Sequence, residues 1–124
     1  MQALRQMTAD SQPALQQIDY TLGIFVQFVE TYLDLMVEID ALRVPNTVQD
    51  INQPHFWQEM TLRGLLQKGI QEGSIRPNID LTYSVSALLA PLDARVYRAH
   101  RFAQGYTAAQ ITAGLQGLVR GLAL

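Results

Sequence analysis

Residues 12–42 read QPALQQIDYTLGIFVQFVETYLDLMVEIDAL, and this stretch decides the fold class. Leu15, Ile18, Leu22, Phe25, Val29, Tyr32, Met36 and Ile39 recur at spacings of three and four, which places them on one stripe of a helix. Ile24, Val26, Phe28 and Leu33 add apolar side chains off that stripe. The helix is therefore expected to be surrounded by protein around its midpoint and wetter at its ends. Ser11 before Pro13 suits a helix start, because a hydroxyl caps free backbone N–H groups and proline is tolerated in the first turn. Periodicity leaves open whether this is one helix or two in series with a break near Glu30 and Thr31.

The rest of the chain carries the same period, and no segment alternates like a strand. A short amphipathic piece covers residues 2–9. Residues 44–54, with two prolines, two asparagines and no apolar stripe, read as a loop. A helix is expected from about Pro54, with Trp57, Met60, Leu62, Leu65, Leu66 and Ile70, stopped by Gly73. Asp80 then caps a long helix whose stripe is Leu81, Val85, Leu88, Leu92 and Val96, with a kink where Pro91 removes a backbone donor and crowds the carbonyl of Ala87. Thr107 and Gln110 have capping-box spacing and open a last helix with the stripe Ile111, Leu115, Leu118 and Leu122. The expectation is an all-α bundle of about five to six helices, a single domain over residues 1–124.

Composition narrows the function. With 48% hydrophobic and 16% charged residues the chain has material for a core. No apolar run approaches the roughly eighteen residues of a membrane span, so no membrane partner is expected. The first residues lack the apolar block of a signal peptide. The absence of cysteine removes disulfides and thiolate chemistry and fits a reducing cytoplasm. A net charge of −2 suits nucleic-acid binding poorly. The sign is uneven: residues 1–59 hold Arg5 and Arg43 against eight carboxylates, a net of −6, and residues 60–124 sum to +4. Two helical layers of opposite sign would attract one another; a merely solvated, uneven surface is the plainer alternative.

Catalytic constellations with specific spacing are missing from the sequence, and no enzyme activity, cofactor or metal is expected. His55 and Glu59 stand one helical turn apart, but a zinc or iron site needs three or four ligands. Asp34 and Glu38 form a similar carboxylate pair on the polar side of the first long helix, where solvation is the commoner role. Arg95, Arg98 and Arg101 recur beside Tyr97 and His100, a basic and aromatic face that could meet phosphate or an acidic ligand, or simply face the C-terminal helix dipole. The rings are more informative. Aromatic stripes are usually core, yet bulky rings between long helices also line cavities. Phe25, Phe28, Tyr32, Trp57, Met60 and Tyr83 are the candidate ligand-lining residues.

Residues 62–81, LRGLLQKGIQEGSIRPNIDL, carry the pattern Gly69-x-x-x-Gly73-x-Ile75-Arg76-Pro77, followed by Asp80 at the head of the next helix. This resembles the corresponding segment of C-terminal domains in the TetR family of transcriptional regulators. Residues 114–122, GLQGLVRGL, resemble that family's last helix. The likeness covers residues 55–124 well and residues 1–45 in layout only. It implies a helical effector-sensing domain, with an apolar or amphipathic small molecule bound between the central helices. It also implies a homodimer formed by the last two long helices. Leu92, Val96, Ile111, Gly114, Leu115, Gly117, Leu118, Gly121 and Leu122 are the residues expected at that interface. Pro91 departs from the smooth helix usual there. A helical interaction or scaffold domain with no small ligand is the alternative reading, and an enzyme on a helical bundle the third.

The family's DNA-binding helix-turn-helix head does not occur in this chain, so contact with DNA is expected only through such a head. The 124-residue chain alone should show no sequence-specific DNA binding at physiological salt; sub-micromolar, sequence-dependent retention in a gel-shift assay would contradict this.

Overall fold

The computed structural model describes residues 12–42 and 54–124. The expected piece at residues 2–9, the Ser11 cap and the loop at residues 44–53 lie outside the described residues. Five α-helices follow one another: α1 (Ala14–Leu42), α2 (Pro54–Glu72), α3 (Leu81–Leu89), α4 (Ala94–Arg98) and α5 (Ala108–Arg120). A 3-10 turn, Ala90–Leu92, joins α3 to α4, and α4 runs on into a π-helical turn, Ala99–Ala103. The fold is all-α, as the periodicity predicts.

The midpoint of α1 is enclosed as expected. Ile18, Leu22, Phe25, Val26, Val29 and Leu33 are buried, covered by α2, α4 and α5. The expected stripe holds as far as Val29; beyond it, Tyr32 and Ile39 turn outward and Leu33 takes the core position. Two effects produce the drift. Spacings of three and four average less than the 3.6-residue turn, so a strict stripe walks around a straight helix. Tyr32 also has non-helical angles, φ −110° and ψ 18°, which kink α1 into two helical stretches beside the break near Glu30 and Thr31 that periodicity left open.

The turn between α2 and α3 accounts for five residues of the 69–80 pattern: Gly69, Gly73, Ile75, Arg76 and Asp80. Gly73 has φ +82°, and the bonds from Ser74 N–H to Gly69 O (2.9 Å) and from Gly73 N–H to Ile70 O (3.1 Å) close α2 as a Schellman stop. A Cβ on Gly69 would stand 2.8 Å from Cγ1 of Ile75, whose side chain is wholly buried on that face. Arg76 donates from its backbone to Leu122 O (3.0 Å) and from its guanidinium to Gly121 O, and Leu124 N–H bonds Ser74 O (3.0 Å). The turn is thereby pinned to the last residues after α5. Asp80 then accepts from Tyr83 N–H (3.0 Å) and opens α3.

Pro91 does more than kink a helix. Residues 81–103 are not one helix: α3 stops at Leu89, Pro91 sits in the 3-10 turn, and Asp93 (φ −57°, ψ 134°) leaves helical space to cap α4, accepting from Arg95 and Val96 N–H. The restart rotates the stripe. Tyr97 is buried where continuity had placed Val96, which is 40% exposed. Both Thr107–Gln110 capping-box bonds are present, at 2.8 and 3.1 Å.

Gly73→Ala forces a Cβ into left-handed space and should cost about 1–2 kcal/mol. Asp80→Ala should cost about 1 kcal/mol through the lost cap, and Gly69→Val about 1–3 kcal/mol through overlap with Ile75. Urea unfolding of the three variants checks these magnitudes.

Candidate functional site

The outward face of α5 is set by how the helix lies on α1. Gln116 Nε2 donates to Asp19 O (3.1 Å), Arg120 reaches the Asp19 carboxylate (3.4 Å), and Thr112 packs beside Gly23. Ile111, Leu115 and Val119 then point into the core. Ile111, Leu115 and Val119 form an i, i+4 ridge, which leaves Leu118 59% exposed. The stripe Ile111, Leu115, Leu118 and Leu122 is therefore split, with Leu118 outside the chain's own core.

The nine residues expected at a dimer interface are consequently divided. Leu92, Ile111 and Leu115 are buried in the chain's own core, and Leu122 is half-buried against it. Val96, Gly114, Gly117, Leu118 and Gly121 face outward. Positions 114, 117, 118 and 121 share one face of α5. A Cβ at Gly114 or Gly117 would meet nothing within 4 Å, so no close approach among the described residues requires these two glycines. Phe102 and Tyr106 are further exposed apolar residues, after α4 and before α5.

The candidate ligand-lining residues are divided as well. Phe25 is buried in the core, and Phe28 is half-buried with its ring 4.9 Å from that of Tyr32. Tyr32, Trp57, Met60 and Tyr83 are 47, 58, 53 and 72% exposed, so they stand on the surface of the described chain rather than inside it. Among buried polar groups, the Thr21 hydroxyl alone has no hydrogen-bond partner among the described residues.

A charged cluster joins α1 to the turn after α4. Glu30 accepts from Arg101 at both oxygens, Nη2 at 2.8 Å and Nε at 2.9 Å, and also from the Tyr97 hydroxyl. Hydrogen bonds from Arg101 first, then from Tyr97, hold the Glu30 carboxyl down at about 2, far below the usual carboxylate range. Burial raises the Tyr97 phenol well above its ordinary value and the Glu30 charge adds to that; the bond to Glu30 likewise holds Arg101 protonated. The basic face drawn through Arg95, Arg98 and Arg101 is thus not a unit. Arg95 and Arg98 are exposed, Arg101 turns inward, and Tyr97 lies in the core. Sequence reading did not identify the Glu30 cluster. Its one signal was the charge asymmetry, since Glu30–Arg101 and Asp19–Arg120 both join the acidic half to the basic half.

Metal chemistry finds no support in the arrangement. No group of three His, Asp or Glu side chains able to hold an ion occurs among the described residues, and the His55 side chain lies outside them. Asp34 and Glu38 are exposed on α1. No described helix is long and apolar enough to cross a membrane. Comparison with known proteins finds no matching family, curated protein or solved structure.

A carboxylate whose pKa is depressed by folding contributes stability above its unfolded value, and that contribution is lost as pH falls through the folded value. For Glu30 the window runs from 4.5 down to about 2. Glu30→Gln should cost roughly 2 kcal/mol at neutral pH, the scale of a lost charged hydrogen bond. The gap to wild type should narrow as pH falls through that window. Denaturant unfolding at pH 7, 4 and 3 checks both.

Proposed function

We propose that the chain is the effector-sensing and dimerisation domain of a TetR-type transcriptional regulator, and that it acts as a homodimer. The observation that carries this reading is the outward face of α5. Each glycine in a helix interior costs about 1 kcal/mol relative to alanine, and Gly114 and Gly117 are matched by no neighbour among the described residues. Close approach of a second helix backbone offsets that cost, and a two-fold axis makes one patch complementary to its own copy. Leu118 and Val96, both expected at that interface, are exposed apolar residues. The TetR assignment itself is supported by the likeness of the residue pattern at 69–80, in which Gly69, Gly73, Ile75, Arg76 and Asp80 have defined parts in the α2–α3 turn.

In this reading the effector is an apolar or amphipathic small molecule, met by Phe28 and Tyr32 of α1 and by Trp57 and Met60 of α2. The exposure of Tyr32, Trp57, Met60 and Tyr83 equally favours a second reading, a helical interaction domain whose rings dock a protein rather than enclose a ligand.

Sedimentation at micromolar concentration tests the dimer. Wild type should be dimeric. Leu118→Arg should dissociate it by at least tenfold without unfolding the protomer, because Leu118 is 59% exposed in the chain. Gly114→Ala and Gly117→Ala should raise protomer stability by up to about 1 kcal/mol each while weakening association. A monomeric wild type, or glycine variants that associate unchanged, contradicts the proposal. A panel of hydrophobic and aromatic compounds separates the two effector readings: a rise in Tm by mass action supports sensing, and no shift favours protein docking.

A further inference from the structure

Two helices of this chain are irregular, and the same carboxylate lies at both irregularities. α1 bends at Tyr32, two residues after Glu30, although no proline follows Pro13 in α1 and its only glycine, Gly23, is nine residues upstream. The bend therefore has neither a proline nor a nearby glycine to make it. On the other side, the π-helical turn after α4 is widened by a bond from Gln104 N–H to Ala99 O (3.0 Å) and another from Tyr106 N–H to His100 O (2.9 Å), with Gly105 at φ +80°. Arg101 sits inside that turn. It grips Glu30 with two nitrogens and donates its remaining Nη1 to Tyr106 O (3.1 Å), just past the helix stop.

We propose that the Glu30–Arg101–Tyr97 cluster is a latch that makes the bend in α1 and the π-helical turn after α4 one cooperative unit. Bidentate geometry fixes the guanidinium plane relative to α1. The third arginine contact carries that orientation into the backbone of the turn. A π turn has a discrete competitor, the α register with one residue fewer per loop of hydrogen bonding, so release of the latch has a defined destination. With Glu30 freed, the turn relaxes toward that register and shifts the exposed Phe102, while α1 loses the tie that bends it beside the Phe28–Tyr32 ring pair. Use of the latch to carry an effector signal rests on the proposed sensing role; the latch itself does not.

The coupling must be reciprocal, and native-state hydrogen exchange on the full chain reads it directly. Glu30→Gln should speed exchange at the Gln104 and Tyr106 amides by more than tenfold relative to the Leu66 amide in α2. Arg101→Gln should do the same at the amides of residues 33–36 in α1. Tyr97→Phe, which keeps the buried ring and removes only the hydroxyl, should give a smaller change in both places and serves if either other variant does not fold. Asp19→Asn, which breaks the exposed pair with Arg120, should change neither. Variants that loosen only their own helix, or that raise all amides equally, overturn the latch. These readouts do not depend on association, so a monomeric chain leaves this test intact while contradicting the dimer.

Discussion

The middle of α1 is apolar around most of its circumference, and covering it is the condition that places every other helix. Burial of each Leu, Ile, Val or Phe side chain contributes about 1.5–3 kcal/mol, and Ile18, Leu22, Phe25, Val26, Val29 and Leu33 all meet it. One neighbour cannot enclose a helix of that kind. α2 covers one side, α4 and α5 cover another, and α3 closes over α2. α1 is ten residues longer than α2, at 29 against 19, and its far end carries the exposed Tyr32, Leu35 and Ile39.

Polar groups determine the roll of each covering helix. At its start, α1 receives a carboxylate from α2, where Glu72 accepts from Ala14 N–H (3.0 Å), and Lys68 donates to Gln12 O (3.0 Å). Midway, Asp19 engages Gln116 and Arg120 of α5. Farther along, Glu30 takes Arg101 and Tyr97. Each contact selects one rotation among several that would bury similar apolar area. The glycine face of α5 points outward because Gln116 and Arg120 are tied to α1.

That outward face links the fold to the proposed function. Alanine at positions 114 and 117 would gain helix propensity. Gly69 differs, because Ile75 fills the space its side chain would occupy. The contrast separates a glycine explained by its neighbours from glycines that the described residues leave unexplained.

Helical class, the helix starts at Asp80 and Thr107, and the stop at Gly73 were determined by the sequence alone, because each rests on local chemistry: a side-chain oxygen at a backbone donor, or a residue tolerant of positive φ. The existence of an apolar stripe on α5 was equally legible, whereas its direction was not. Leu118 and Val119 are both apolar neighbours, and only the seating of α5 on α1 puts Val119 in the core. Pro91 announced an interruption, yet whether it gave a kink or a restart depended on Asp93 taking an extended ψ to cap α4. The candidate rings were found by type, but type does not distinguish Phe25 in the core from Tyr83 in solvent. The Glu30 cluster joins residues about seventy positions apart. A pair so distant has no periodicity to betray it, and only the tertiary structure brings the two ends together.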